Sequence, residues 1–99
     1  MISENDAARI GVNKCIDAIG REFAIANRDS SSTSCGITRS ESTGKQVMSC
    51  FVGIDTRARV DAENQLVLTS TPDWPYFAKC EVDLVSGEAK LIDAKGATS

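Results

Sequence analysis

Four cysteines and no histidine set the chemistry open to this 99-residue chain. Cys15, Cys35, Cys50 and Cys80 are separated by 19, 14 and 29 residues. Structural zinc sites bring their ligands in close pairs such as C-x2-C, so this spacing points away from zinc and no metal is expected. In a short exported chain an even number of cysteines reads as two disulfides. The first residues, Met1-Ile2-Ser3-Glu4-Asn5-Asp6, show neither the basic nor the apolar region of a leader. That favours free thiols and a cytoplasmic location. On this reading Cys15, Cys50 and Cys80 are small buried hydrophobes. Cys35, in a polar segment, is an exposed thiol with no neighbouring base to lower its pKa.

Other reactive arrangements are argued against one by one. Without histidine there is no Ser-His-Asp or Cys-His set. Ser42-Thr43-Gly44-Lys45-Gln46 faintly resembles a phosphate loop, but no glycine stands at position 39 and Gln46 replaces the hydroxyl residue. A strand is expected to follow it, so no helix N-terminus is there to hold phosphate. Asp55, Asp61, Glu63 and Asp73 fall near expected strand ends, and nothing selects two of them as an acid–base pair. The chain is therefore expected to be non-enzymatic and to need no cofactor. The best binding candidates are aromatic: Trp74, the single tryptophan, stands between two prolines and is followed by Tyr76 and Phe77. Tryptophan and tyrosine are enriched at binding hot spots. The structural alternative is that Trp74 folds back to cap the core.

The elements that must position these groups follow from periodicity. Residues 3–28 read as one amphipathic helix, with Ser3 as N-cap and Asp6 three residues on. Ala8, Val12, Cys15, Ile16, Ile19, Phe23 and Ala26 fall on one face. Gly11 and Gly20 flank that stripe and imply a close approach by the sheet. Lys14, Arg21 and Arg28 lie opposite, read as a solvated face with an Asp17–Arg21 pair at i,i+4; Ile10 points to the same side. Residues 29–44 are polar and small and read as a long loop or mobile segment, broken by a short strand around Gly36-Ile37-Thr38. From 45 the period becomes two: Met48, Cys50, Val52 and Ile54 alternate with Ser49, Phe51, Gly53 and Asp55. A second strand is expected at 65–71, joined through Thr56–Asn64, and a turn at Pro72-Asp73-Trp74-Pro75. In residues 76–85, Tyr76, Ala78, Cys80, Val82 and Leu84 share one face and Phe77, Lys79, Glu81, Asp83 and Val85 the other. Ser86-Gly87 signals a two-residue hairpin. In the return strand, residues 88–93, Ala89, Leu91 and Asp93 share a face, and residues 94–99 form a frayed tail.

The expected architecture is a single α+β domain, with the N-terminal helix laid across a roughly four-stranded antiparallel meander. Hydrophobic residues make up 41% of the chain and aromatics 5%, so the core must be mainly aliphatic. Residues 46–99 carry five basic and eight acidic side chains, and the rest of the chain is balanced, giving a net charge of −3. That makes the chain a poor candidate for sequence-independent DNA binding, so no nucleic-acid partner is expected, and no apolar run of about 20 residues is present to enter a membrane.

The stretch YFAKCEVDLVSGEAKLID, Tyr76–Asp93, resembles the last hairpin of PepSY-type domains, which are typically exported. The helix-plus-meander order is similar to cystatin-type and nuclear-transport-factor-type folds. These likenesses bear on fold and imply no function. The expected role is that of a protein-interaction module with a protein partner and a surface at Trp74, Tyr76 and Phe77, its acidic second half selecting a basic partner. The alternatives are a ligand pocket between helix and sheet, lined by Phe23, Met48, Val52 and Tyr76, and a structural homo-oligomer built through an edge strand or the Ile10 face.

Overall fold

The computed structural model describes residues 2–55, 59–60, 66–67 and 74–97, with the pairs 59–60 and 66–67 taken as backbone only. The N-terminal amphipathic segment forms α1, Glu4–Ile19, and Ser3 accepts a hydrogen bond from the Asp6 backbone N–H at 3.1 Å. This satisfies one of the amide groups that a helix start leaves without an internal partner. The helix is not continuous to residue 28 as the periodicity predicts. Gly20 adopts φ +117°, a conformation open to glycine, and the chain restarts as α2, Arg21–Ala26, then a 3-10 turn at Arg28–Ser30. The Asp17–Arg21 ion pair forms across the break at 2.6 Å.

Four strands make the main sheet: β1 Ser31–Arg39, β2 Gln46–Ile54, β5 Tyr76–Asp83 and β6 Ala89–Lys95, in the order β1-β2-β5-β6, all antiparallel. Between β2 and β5 a separate two-stranded ladder pairs β3, Arg59–Val60, with β4, Leu66–Val67. The helix-plus-antiparallel-meander architecture is as expected, but its membership differs. The segment 29–44, expected as a loop broken by a short strand, supplies edge strand β1. Of the expected strand at 65–71, Leu66–Val67 form β4 in the small ladder, and its other residues, with Asp61, Glu63 and the Pro72-Asp73 part of the turn, lie outside the described residues.

The helix covers one face of the sheet. Along α1 the line Ala7, Gly11, Cys15 and Ile19, at i,i+4 spacing, is buried, and Met48, Cys50, Val52, Ile54, Ala78, Cys80 and Val82 meet it from β2 and β5. Gly11 is required at the crossing. A Cβ there would lie 2.5 Å from Cys50 Sγ and 3.2 Å from Val82 Cγ2, so side chains, and not the sheet backbone, make the approach. Ile10, expected on the polar side, is partly buried and packs against this core, within 3.9 Å of where a Cβ on Gly87 would stand.

Two ends differ from expectation. The β5–β6 connection is longer than a two-residue hairpin: the Asp83 N–H donates to the Glu88 carbonyl at 2.9 Å, and Gly87 takes φ +77°. The Asp83 carboxylate accepts from the Val85 and Ser86 N–H groups at 2.7 and 3.1 Å. A bulge near Lys79/Cys80 moves Asp93 to the face opposite Leu91, opposite Lys79, so these two do not share a face as alternation implies. Past β6 the chain is not frayed through residue 97: Gly96 is buried against the Ala18 carbonyl, and the Ala97 N–H donates to the Ile19 carbonyl at 2.7 Å, closing the end of α1. No helix among the described residues is long and apolar enough to cross a membrane.

Candidate functional site

Alternation along β2 and β5 sends two kinds of side chain to opposite sides of the sheet. Cys50, Val52 and Ile54 face α1; Ser49, Phe51 and Gly53 face away from it, as do Phe77, Lys79 and Glu81 on β5. On this outer face Phe51 and Phe77 stack at 6.4 Å with planes 20° apart, and Trp74 meets Phe51 edge-on at 5.9 Å. Gly53 provides the floor under the indole. A Cβ there would come within 2.7 Å of Trp74 Cδ2 and 2.8 Å of Phe51 Cε1. Trp74 and Phe77 are thus brought together, each half-buried.

Tyr76 is not part of this cluster. It lies on the helix side, edge-on to Phe23 at 4.6 Å. The alternation in 76–85 separates it from Phe77, so three aromatics close in sequence fall on two faces of the sheet. The missed member is Phe51, whose signal was its place on the polar side of the β2 alternation. The pocket expected between helix and sheet is filled, because Phe23 and Tyr76 pack on each other and Met48 and Val52 are buried. A hollow of about 180 Å³ between helix and sheet keeps Val52 of the four expected lining residues and is otherwise lined by Ile16, Ala24, Ile25, Arg28, Ser31, Thr33 and Ile54. That is below the roughly 300 Å³ at which small-molecule sites begin.

The aromatic cluster continues toward the sheet edge. Ser34, Gly36 and Thr38 of β1 flank Phe51, Ser49 and Lys79 around an open groove of about 410 Å³. Among the described residues nothing lies within 4 Å of where a Cβ on Gly36 would stand. Next to it a second groove, of about 430 Å³, is polar and lined by Arg39, Ser49, Lys79, Glu81 and Lys90 among others. In register, Lys79 faces Asp93 and Glu81 faces Lys90 across the β5–β6 pair, so charge on this face is mixed and the acidic excess is not concentrated there. The turn at its end is held by the buried Ser40, whose hydroxyl donates to Glu81 Oε1 at 3.0 Å.

The cysteines correct the thiol expectation. Cys35 and Cys50 are disulfide-bonded across β1 and β2, their Cα atoms 4.2 Å apart. Cys35 is therefore not a free thiol, and Cys50 is not a simple buried one. Cys15 and Cys80 are buried thiols, as expected. Among the described residues no three His, Cys, Asp or Glu side chains are grouped to hold a metal ion. Comparison of the chain with protein-family models, with curated proteins and with solved structures finds no match.

Proposed function

We propose that the protein is a non-enzymatic interaction module that takes an extended segment of a partner protein onto the β1 edge, with an apolar side chain of that segment seated over Gly36 against Phe51 and the Trp74–Phe77 cluster. The observation that carries this reading is the continuity of an open groove from the edge strand to an aromatic cluster on the face that α1 leaves uncovered. Edge strands are usually guarded by charge, proline or shortness. β1 has nine residues, no proline, and Arg39 at its end as its only charge. Strand addition to such an edge draws affinity from backbone hydrogen bonds and specificity from pockets for alternate side chains.

The ladder geometry says which amides are on offer. A Cα separation of 4.2 Å marks Cys35–Cys50 as a narrow, non-hydrogen-bonded pair. The N–H and C=O of Cys35 therefore point to the open edge, and by alternation so do those of Thr33 and Ile37. The disulfide sits on the helix side and fastens β1 to β2 without obstructing the outer groove. The cytoplasmic placement expected from the N-terminal residues is weighed against this bridge. Disulfides persist where thiols are not kept reduced, and we place the protein in such a compartment.

The test selects peptides from a displayed random library on the immobilised oxidised chain. Binders are then read by amide shifts in β1 and by iodide quenching of Trp74. Expected binders move the amides of Thr33, Cys35 and Ile37 and protect Trp74. Ile37→Pro removes one outward N–H while leaving the β1–β2 ladder intact, and Gly36→Trp fills the groove; each should abolish binding. Binders that ignore both substitutions, or that shift only the α2 end of β1, would overturn this reading in favour of the hollow beside α2. A concentration-dependent dimer blocked by Ile37→Pro would replace the partner by a second copy of this chain.

A further inference from the structure

Beneath α1 the two remaining sulfurs meet. Cys15 Sγ on the helix and Cys80 Sγ on β5 are 3.1 Å apart, both fully buried and separated by 65 residues in sequence. The Cys80 thiol also lies 2.9 Å from the Gly11 carbonyl, and the Cys15 thiol donates to the Cys50 carbonyl at 3.7 Å. Cys50 pairs with Cys80 in the β2–β5 register and with Cys35 in the β1–β2 register. All four cysteines thus converge on the crossing of α1 over the sheet, and one pair is already bridged.

We propose that Cys15 and Cys80 are a second disulfide site, closed by exchange with a disulfide oxidant such as oxidised glutathione, so that the oxidised chain carries two bridges and α1 is bonded to β5. The exchange balances without any other reactant. The Cys80 thiolate attacks one sulfur of the oxidant, forming a mixed disulfide and releasing the first thiolate. Cys15, deprotonated, then attacks Cys80 Sγ, the new S–S bond forms, and the second thiol leaves. The two protons lost by the cysteines end on the two released thiols, and the two electrons reduce the oxidant. Either cysteine can make the first attack, with the other resolving the mixed disulfide, since the exchange is symmetric in the two thiols. Both groups are buried in the folded chain, so closure takes place as α1 docks during folding.

The oxidant that makes the Cys35–Cys50 bridge is competent for this one as well. The resulting loop is longer, 65 residues against 15, and constraint of the unfolded chain increases with loop length. The second bridge therefore contributes more to holding helix on sheet than the first does to holding the edge.

The experiment refolds the reduced, denatured full chain in mixtures of oxidised and reduced glutathione. Thiols are then trapped with N-ethylmaleimide under denaturing conditions, and a non-reducing digest is mapped by mass spectrometry. The expected result is no trapped thiol and a peptide linking Cys15 to Cys80. The double variant Cys35→Ser/Cys50→Ser should still form that one link, and its oxidised form should melt higher than its reduced form. Recovery of both Cys15 and Cys80 as trapped thiols at every glutathione ratio, in chains that have formed Cys35–Cys50, would overturn the proposal. A dominant Cys15–Cys50 or Cys50–Cys80 link would do the same. If the double variant fails to fold, the wild-type peptide map decides alone.

Discussion

The two faces of one sheet have been put to different uses. The helix side is closed: Gly11, Cys15 and Ile19 press on Cys50, Ile54, Cys80 and Val82, and even a methyl group at Gly11 has no room. The outer side carries Phe51, Trp74 and Phe77 half-buried beside open grooves, and a Cβ at Gly36 would touch none of the described residues. Both faces are built from the same strands by alternation. The difference arises because α1 has only one apolar stripe and can cover only one of them.

Substitutions that treat the two faces alike in chemistry and unlike in outcome would sharpen this contrast. The largest effect is expected from Ile19→Ala, which empties a fully buried site and should cost about 2–5 kcal/mol in urea unfolding. Phe77→Ala removes more atoms from the outer face yet should cost clearly less; equal losses would mean that the outer cluster is core. Next, loss of the Cys35–Cys50 bridge in the double variant Cys35→Ser/Cys50→Ser, which opens a 15-residue loop, should lower stability by about 3 kcal/mol and abolish selected-peptide binding, because it loosens the edge. Gly11→Val overpacks the crossing and should cost about 1–3 kcal/mol, whereas Gly36→Val should leave unfolding nearly unchanged; the pair is read by the same urea midpoint.

The smallest effect concerns the β5–β6 turn. The Ser86 and Val85 N–H groups hold the Asp83 carboxyl below the usual carboxylate range. A depressed carboxylate contributes stability above its unfolded pKa, near about 4, and that contribution is lost as pH falls through the lower folded value. Asp83→Ala should therefore melt slightly lower than wild type at neutral pH, with the gap closing on acidification. A gap that is constant with pH would assign the effect to geometry and not to charge.

Much of this was legible in residue order. Ser3 caps α1 where the capping pattern put it, and Met48, Cys50, Val52 and Ile54 are all buried as their period of two requires. The same rule separates Tyr76 from Phe77. Of β1 only the short piece at Gly36-Ile37-Thr38 was legible, because none of its residues is buried. An edge strand held by backbone pairing to β2 and by one disulfide has no need of alternating hydrophobes, and Ser-Ser-Thr-Ser reads as loop. The site suffered in consequence: without the full strand there was no edge, no groove at Gly36, and no partner for Cys35.

Residue order alone thus determined that a capped helix precedes the sheet and, along β2 and β5, the side on which each side chain falls, since these depend only on the local geometry of 3.6 and 2 residues per repeat. Tertiary structure decided which cysteines meet, that Phe51 joins Trp74 and Phe77, and which sheet face stays uncovered. Those are contacts between residues far apart in the chain, and they exist only once strand register and helix placement have been set by packing.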